Sequence, residues 1–241
     1  MAASSSVVEL RGRLCAGGVD DELPGLPGVR CLPGPGSAVA LLADTLAGAS
    51  WARRRGELLS LIERERAARF VFPGLGETWT AARVLLREVL GRVTLTPAQE
   101  VPIRIGEYGK PMTEGVEFSL AHTGSLVLIG VGDLPLGVDV EKVPEKRVVE
   151  QVGTSLHPGE VAELSALPEE ERPKAFARAW VRKEAMCKAL GVGLSRGLSR
   201  DYVGTGVAPG DPVAGLRIHD LRLPGLPEHQ AALCVTTPAT S

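Results

Sequence analysis

The stretch Trp180-Val-Arg-Lys-Glu-Ala-Met-Cys-Lys-Ala-Leu-Gly-Val-Gly-Leu194 constrains the fold most, because it predicts a helix with a defined end. Phe176, Trp180, Cys187 and Leu190 fall on one stripe at helical spacing, and Ala179, Ala185 and Ala189 favour the helix. Gly191 supplies the stop, since glycine takes left-handed dihedrals without a side-chain clash. Lys183 interrupts the apolar stripe and Glu184 flanks it. Glu184 and Lys188 are one turn apart, so their side chains can reach the same point. An isolated pair of this kind is ordinarily surface decoration. A second acidic pair upstream, Asp139 and Glu141, gives this one a different weight.

Composition bounds the function. The 241 residues allow one large domain or two modest ones, and 44% hydrophobic with 23% charged residues describes an ordinary globular chain. A formal net charge of −2 argues against a nucleic-acid partner, which normally needs a basic face. No apolar run is long enough to span a membrane. The first ten residues lack the basic end and apolar core of a signal peptide, which makes the cytoplasm the expected compartment. Cys15, Cys31, Cys187 and Cys234 are scattered, with no Cys-x-x-Cys pair, so free thiols are expected.

Along the chain, residues 1–37 are rich in Gly and Pro and predict surface wrapping with at most one edge strand. Helix is expected in parts of 38–70, and a better one over 80–92, where Val84, Leu85, Leu86, Val89 and Leu90 make a broad apolar face. Arg66, Arg69 and Arg83 read as solvated helix cations. Strands are expected over 103–108 and 116–120, joined through Gly109-Lys-Pro111. The clearest hairpin signal is 126–131 with 136–140, across the turn-rich Gly132-Asp-Leu-Pro135. Helix follows over 157–167 and 174–190, then short strands over 216–223 and 230–236. No exact repeat exists, yet each half offers helix plus short antiparallel strands, with a seam near 133–135. The expected division is 1–134 and 135–241.

The strand Leu136-Gly-Val-Asp-Val-Glu141 puts Val138 and Val140 on one face and Asp139 and Glu141 on the other. Carboxylates roughly 7 Å apart on one strand face repel unless water or a cation lies between them. A hard cation such as magnesium takes one or two carboxylates plus phosphate oxygens, which suits the pair; a solvated strand end suits it too. His157-Pro-Gly-Glu160 reads as a helix start rather than a metal site.

Several motifs together resemble the 4′-phosphopantetheinyl transferases of the surfactin-synthetase-activating, monomeric type. They are Glu107-Tyr-Gly-Lys-Pro111, Phe118-Ser-Leu-Ala-His-Thr-Gly124, Gly137-Val-Asp-Val-Glu141, and Trp180-Val-Arg-Lys-Glu-Ala-Met-Cys-Lys188 with Gly191-Val-Gly-Leu194. The segment Arg66-Ala-Ala-Arg-Phe70 followed by Ala82-Arg83 is similar to the family's basic N-terminal stretch. The resemblance is clearest from about residue 60 to 195.

It implies an α+β fold of two pseudo-twofold-related halves, each with a small antiparallel sheet and helices, and coenzyme A in the cleft between them. It implies a monomer that moves the 4′-phosphopantetheine arm of coenzyme A onto a serine of an apo acyl or peptidyl carrier protein, releasing adenosine 3′,5′-bisphosphate. The pathways implied are fatty-acid, polyketide or nonribosomal-peptide synthesis. Asp139, Glu141 and Glu184 would hold Mg²⁺; Lys188, His122 and Thr123 would meet phosphate oxygens; Lys110, Arg83 and Arg66 would bind the nucleotide end. The base is Glu184, or Glu160 through a water. Two positions depart from the family pattern: Ala121 stands where Ser often precedes the histidine, and Glu63 where some relatives are basic. The alternatives are an inactive relative that binds coenzyme A or a carrier protein, and a structural module whose acidic cluster is solvated surface.

Overall fold

The computed structural model describes residues 26, 29–34, 38–210 and 213–237. Strand β1 (Val29–Pro33) pairs antiparallel with β2 (Val39–Asp44) at the sheet edge, as the Pro/Gly-rich start suggests. Short helices α1 (Ala49–Arg53) and α2 (Leu61–Ala68) follow, the second opened by a Ser60/Glu63 capping box. Helix α3 (Pro73–Thr94) begins with proline in its first turn and closes at Leu95, whose φ of 55° is left-handed. Strands β3 (Arg104–Ile105) and β4 (Pro111–Met112) form a two-stranded ribbon, and β5 (Glu117–Thr123) and β6 (Leu126–Gly132) complete a four-stranded sheet in the order β1-β2-β6-β5.

Beyond the 133–135 turn come β7 (Leu136–Lys142), helices α4 (Lys146–Val152), α5 (Pro158–Ala166) and α6 (Arg172–Leu190), then β8 (Leu216–Asp220) and β9 (His229–Thr236). The second sheet has the order β7-β9-β8. Three apolar clusters define four layers. Leu85, Leu86, Val89 and Leu90 of α3 pack on Leu41, Val127 and Ile129 of the first sheet. The opposite face of that sheet, with Ala40, Leu42 and Leu128, packs on Val138, Val140 and Leu233 of the second. Ala232 and Cys234, on the outer face of the second sheet, meet Phe176, Ala179, Ala185 and Met186 of α6. Each sheet therefore carries one long helix on its outer side.

This layering corrects two expectations. The 126–131 and 136–140 runs do not form a hairpin: β6 pairs with β2 and β5, whereas β7 pairs with β9. β6 is apolar on both faces and β7 on its Leu136, Val138 and Val140 face, so the two runs are buried by stacking. A Cβ at Gly130 would lie 2.6 Å from Val138 Cγ1 and 2.8 Å from Leu136 Cδ1, a contact between sheet faces. Residues 39–44, expected within a helical region, form a buried inner strand, because an apolar run with no polar stripe suits a site covered on both sides. The partner of β3 is also different: β4 pairs with it, and β5 joins the main sheet.

Cys187 and Cys234 are free and buried, whereas Cys31 is disulfide-bonded, contrary to the free-thiol expectation. Cys15 lies outside the described residues. No helix among the described residues is long and apolar enough to cross a membrane.

Helix α6 is anchored from behind by buried charge. Arg182, fully buried, pairs with Asp220 through Nε at 2.8 Å and donates to Gly204 O at 2.6 Å and Gly206 O at 2.9 Å. Lys183 pairs with Glu160 at 2.8 Å and donates to Asp201 O. These bonds lock the 201–207 loop onto the helix. Arg182→Leu strands Asp220 and the loop carbonyls, and should cost about 3–5 kcal/mol in urea unfolding; an unchanged midpoint would mean the network is idle. At the front of the helix the constraint is steric. A Cβ at Gly137 would lie 2.0 Å from Ala185 O and 2.5 Å from Ala189 N. Gly137→Ala should therefore lose about 1–3 kcal/mol or more by the same measurement, through enforced separation of α6 and β7.

Candidate active site

The close approach at Gly137 lays the last two turns of α6 across the face of β7 that carries Asp139 and Glu141. Lys188 Nζ donates to Asp139 Oδ1 at 2.7 Å. Asp139 Oδ2 is buried and has no hydrogen-bond partner. Burial pushes the Asp139 carboxyl pKa up, and the Lys188 ammonium beside it pulls the other way. Glu141 is also raised, first by burial and further by Asp139, with the Thr123 hydroxyl opposing. Glu184 is raised by burial, then by repulsion from Asp139 and Glu141, with Lys188 between those two causes in strength. The three carboxylates thus form one electrostatic cluster with a single lysine in it.

Along the opposite side runs β5, the edge of the first sheet. Val138 N donates to Ser119 Oγ at 3.1 Å, which joins the edge of β5 to β7. This seam brings the end of β5 to the carboxylates: the Thr123 hydroxyl opposes the rise of the Glu141 pKa, and the exposed His122 opposes that of Asp139. Ala121, on the strand face opposite His122, lies in the core between the sheets, so the departure there falls at a buried position.

The remaining expected site residues divide. Arg66 and Arg83 come together at Trp79, with guanidinium carbons 5.7 and 5.3 Å from its ring centroid. Burial lowers the Arg83 pKa, Glu63 opposes, and Arg66 adds to the lowering. Glu63 is itself engaged by Ser60 and by Arg87, whose Nε lies 2.7 Å away. Trp79 was missed by sequence reasoning, although its i,i+4 spacing to Arg83 would have flagged it. Lys110 places its ammonium on two carbonyls, Leu136 O at 3.0 Å and Lys188 O at 2.8 Å. Glu160 is corrected as a candidate base. It is fully buried; Oε1 accepts from Val203 N and Oε2 from His157 N and Lys183 Nζ, so it has no free oxygen for a substrate proton.

The donor set of Asp139, Glu141 and Glu184 is all hard oxygen, and Asp139 Oδ2 is a buried acceptor without a donor, which suits a hard divalent cation. As the side chains stand, no group of three His, Cys, Asp or Glu among the described residues is arranged to hold a metal ion.

The profile of the 4′-phosphopantetheinyl transferase superfamily matches residues 135–209, which hold β7, α6 and the anchored loop. The chain is 28% identical over 195 residues to 4′-phosphopantetheinyl transferase psf-1 of Bacillus pumilus, covering 76% of this chain and 81% of that protein. It is 33% identical over 146 residues to 4′-phosphopantetheinyl transferase HetI of Nostoc, covering 57% and 62%. It is 27% identical over 136 residues to 4′-phosphopantetheinyl transferase Sfp of Bacillus subtilis, covering 55% and 60%. The chain therefore spans about three-fifths of the length of the last two. With the layered α+β fold and the superfamily match over the carboxylate-bearing strand and helix, the chain is similar to the 4′-phosphopantetheinyl transferases, an enzyme class, and among them to proteins of the Sfp type.

Proposed function

We propose that the chain transfers the 4′-phosphopantetheine arm of coenzyme A to a serine of an apo acyl or peptidyl carrier protein. The observation that carries this reading is the three-carboxylate cluster with Lys188 on Asp139 at the seam of the two sheets. The serine Oγ forms a bond to the phosphorus bearing pantetheine, the bridging P–O bond breaks, and adenosine 3′,5′-bisphosphate leaves with the electron pair. Glu184, whose pKa is raised and whose side chain is half-buried, accepts the serine proton. Lys188 and His122 offer N–H donors to the phosphate oxygens on which charge develops. Arg66 and Arg83, both against Trp79, suit the nucleotide end, where a phosphate would relieve their mutual repulsion. Asp139, Glu141 and Glu184 would hold a divalent cation, magnesium by its preference for oxygen, which would neutralise diphosphate charge. Seam, lysine and arginines lie in one chain, so a monomer suffices.

The test is intact-mass spectrometry of apo carrier proteins from fatty-acid, polyketide and nonribosomal-peptide systems after incubation with the protein, coenzyme A and Mg²⁺. A gain of one phosphopantetheine, lost with a chelator, is expected. No gain on any carrier would favour a relative that only binds coenzyme A or a carrier.

Glu184→Gln separates function from stability. The fold raises the Glu184 pKa above the usual 4.5, so the folded chain binds more protons there than the unfolded chain. Its contribution to stability accordingly falls as pH rises from 4.5 through the raised value. At neutral pH the neutral isostere should raise the metal-free melting midpoint by a few degrees, while transfer drops by about 100-fold or more. A variant with full turnover would remove Glu184 from the chemistry.

A further inference from the structure

We infer that Lys110 is a positioning residue, which holds Lys188 against Asp139 from the other half of the chain, and that it is not a ligand of the nucleotide. The inference rests on the transferase reading and deepens it. Lys110 stands at the end of a tight turn, with Gly106 N on Lys110 O at 2.8 Å and Gly109 at a φ of +81°. That turn projects the side chain to the crossing of α6 and β7. Its ammonium bonds the carbonyl of Leu136, the first residue of β7, and the carbonyl of Lys188, in the last turn of α6. The two acceptors bracket the crossing at Gly137, where helix and strand touch with no room for a Cβ.

Both acceptors need such a donor. Carbonyls in the last turn of a helix have no intrahelical N–H beyond them, and the cap here supplies Lys188 O only with Gly191 N at 3.2 Å. A cation at that end also meets the negative pole of the helix. Leu136 O belongs to the edge strand β7, whose ladder partner β9 lies on one side only. Withdrawing Lys110 to reach a phosphate would leave two carbonyls short of a donor at a partly buried position. Burial already lowers the Lys110 pKa, with Glu117 opposing, in keeping with an ammonium enclosed by protein. The consequence for chemistry is indirect. Lys110 fixes the main chain of Lys188 relative to β7, and the Lys188 side chain then reaches Asp139 Oδ1 at 2.7 Å.

The experiment compares the wild type with Lys110→Met, which keeps the stem and removes the donors. Turnover is measured with coenzyme A and with 3′-dephospho-coenzyme A, and amide exchange is followed on the protein alone. A positioning role predicts that kcat falls about 10- to 100-fold with KM for coenzyme A within about threefold. The preference for coenzyme A over its dephospho form stays as in the wild type. Amides of Gly191 and Val192, which bond Lys188 O and Cys187 O, should exchange about tenfold faster. A raised KM with loss of that preference, and unchanged exchange, overturns the proposal in favour of a nucleotide ligand. If Lys110→Met does not fold, Lys110→Arg, which retains donors, is judged by the same rule: kcat must track exchange protection while KM holds. Absence of turnover in the wild type would defeat the transferase reading alone, and the exchange comparison would still decide whether Lys110 holds the helix end.

Discussion

The architecture depends on one steric fact: at Gly137 the backbone of α6 and the backbone of β7 are in direct contact, where any side chain would intrude. Helices on sheets ordinarily stand off by the thickness of their side chains. Removing that thickness at one point lets polar side chains from strand and helix converge, as Asp139 and Lys188 do across 2.7 Å. The contact is held from both sides. Behind it, Arg182 and Lys183 bind the 201–207 loop and Glu160 to the buried face of α6. In front, Lys110 reaches in from the first half. The site is thus built by pressure on a single crossing, and its charged groups are passengers of that geometry.

The electrostatics follow from the same compression. Carboxylates forced together and half-withdrawn from water favour their protonated forms, which is the direction found for Asp139, Glu141 and Glu184. A fold that tolerates this carries a local instability at neutral pH, and one lysine offsets only part of it. Structural strain of this kind is retained where a ligand of opposite charge is expected to relieve it.

What the sequence made legible was whatever has a local period. Helix α6 and its stop at Gly191 follow from 3.6-residue spacing and a glycine, and the shared face of Asp139 and Glu141 follows from strand alternation. The helix start at His157, with Glu160 in its first turn, is likewise local. What stayed hidden depends on which surface lies opposite. Two apolar runs around a turn look the same whether they pair edge to edge or stack face to face, so β6 and β7 were misjudged. The strand β2 has no polar stripe because it is covered on both sides, and periodicity cannot identify it. Lys110 and Glu160 are polar residues in motifs, and only their buried partners reveal that each has structural work. The bonding of Cys31 had no spacing signature at all.

The middle apolar layer has a consequence for how the two halves relate. Ala40, Leu42 and Leu128 on one sheet and Val138, Val140 and Leu233 on the other share a single core, reached through a turn of only a few residues. The halves resemble separate modules in connectivity, each with its own sheet and long helix. Cut at the turn, each would present a flat, contiguous apolar sheet face beside an open strand edge, a surface suited to self-association. The wall that divides the molecule into two is also the glue that makes it one.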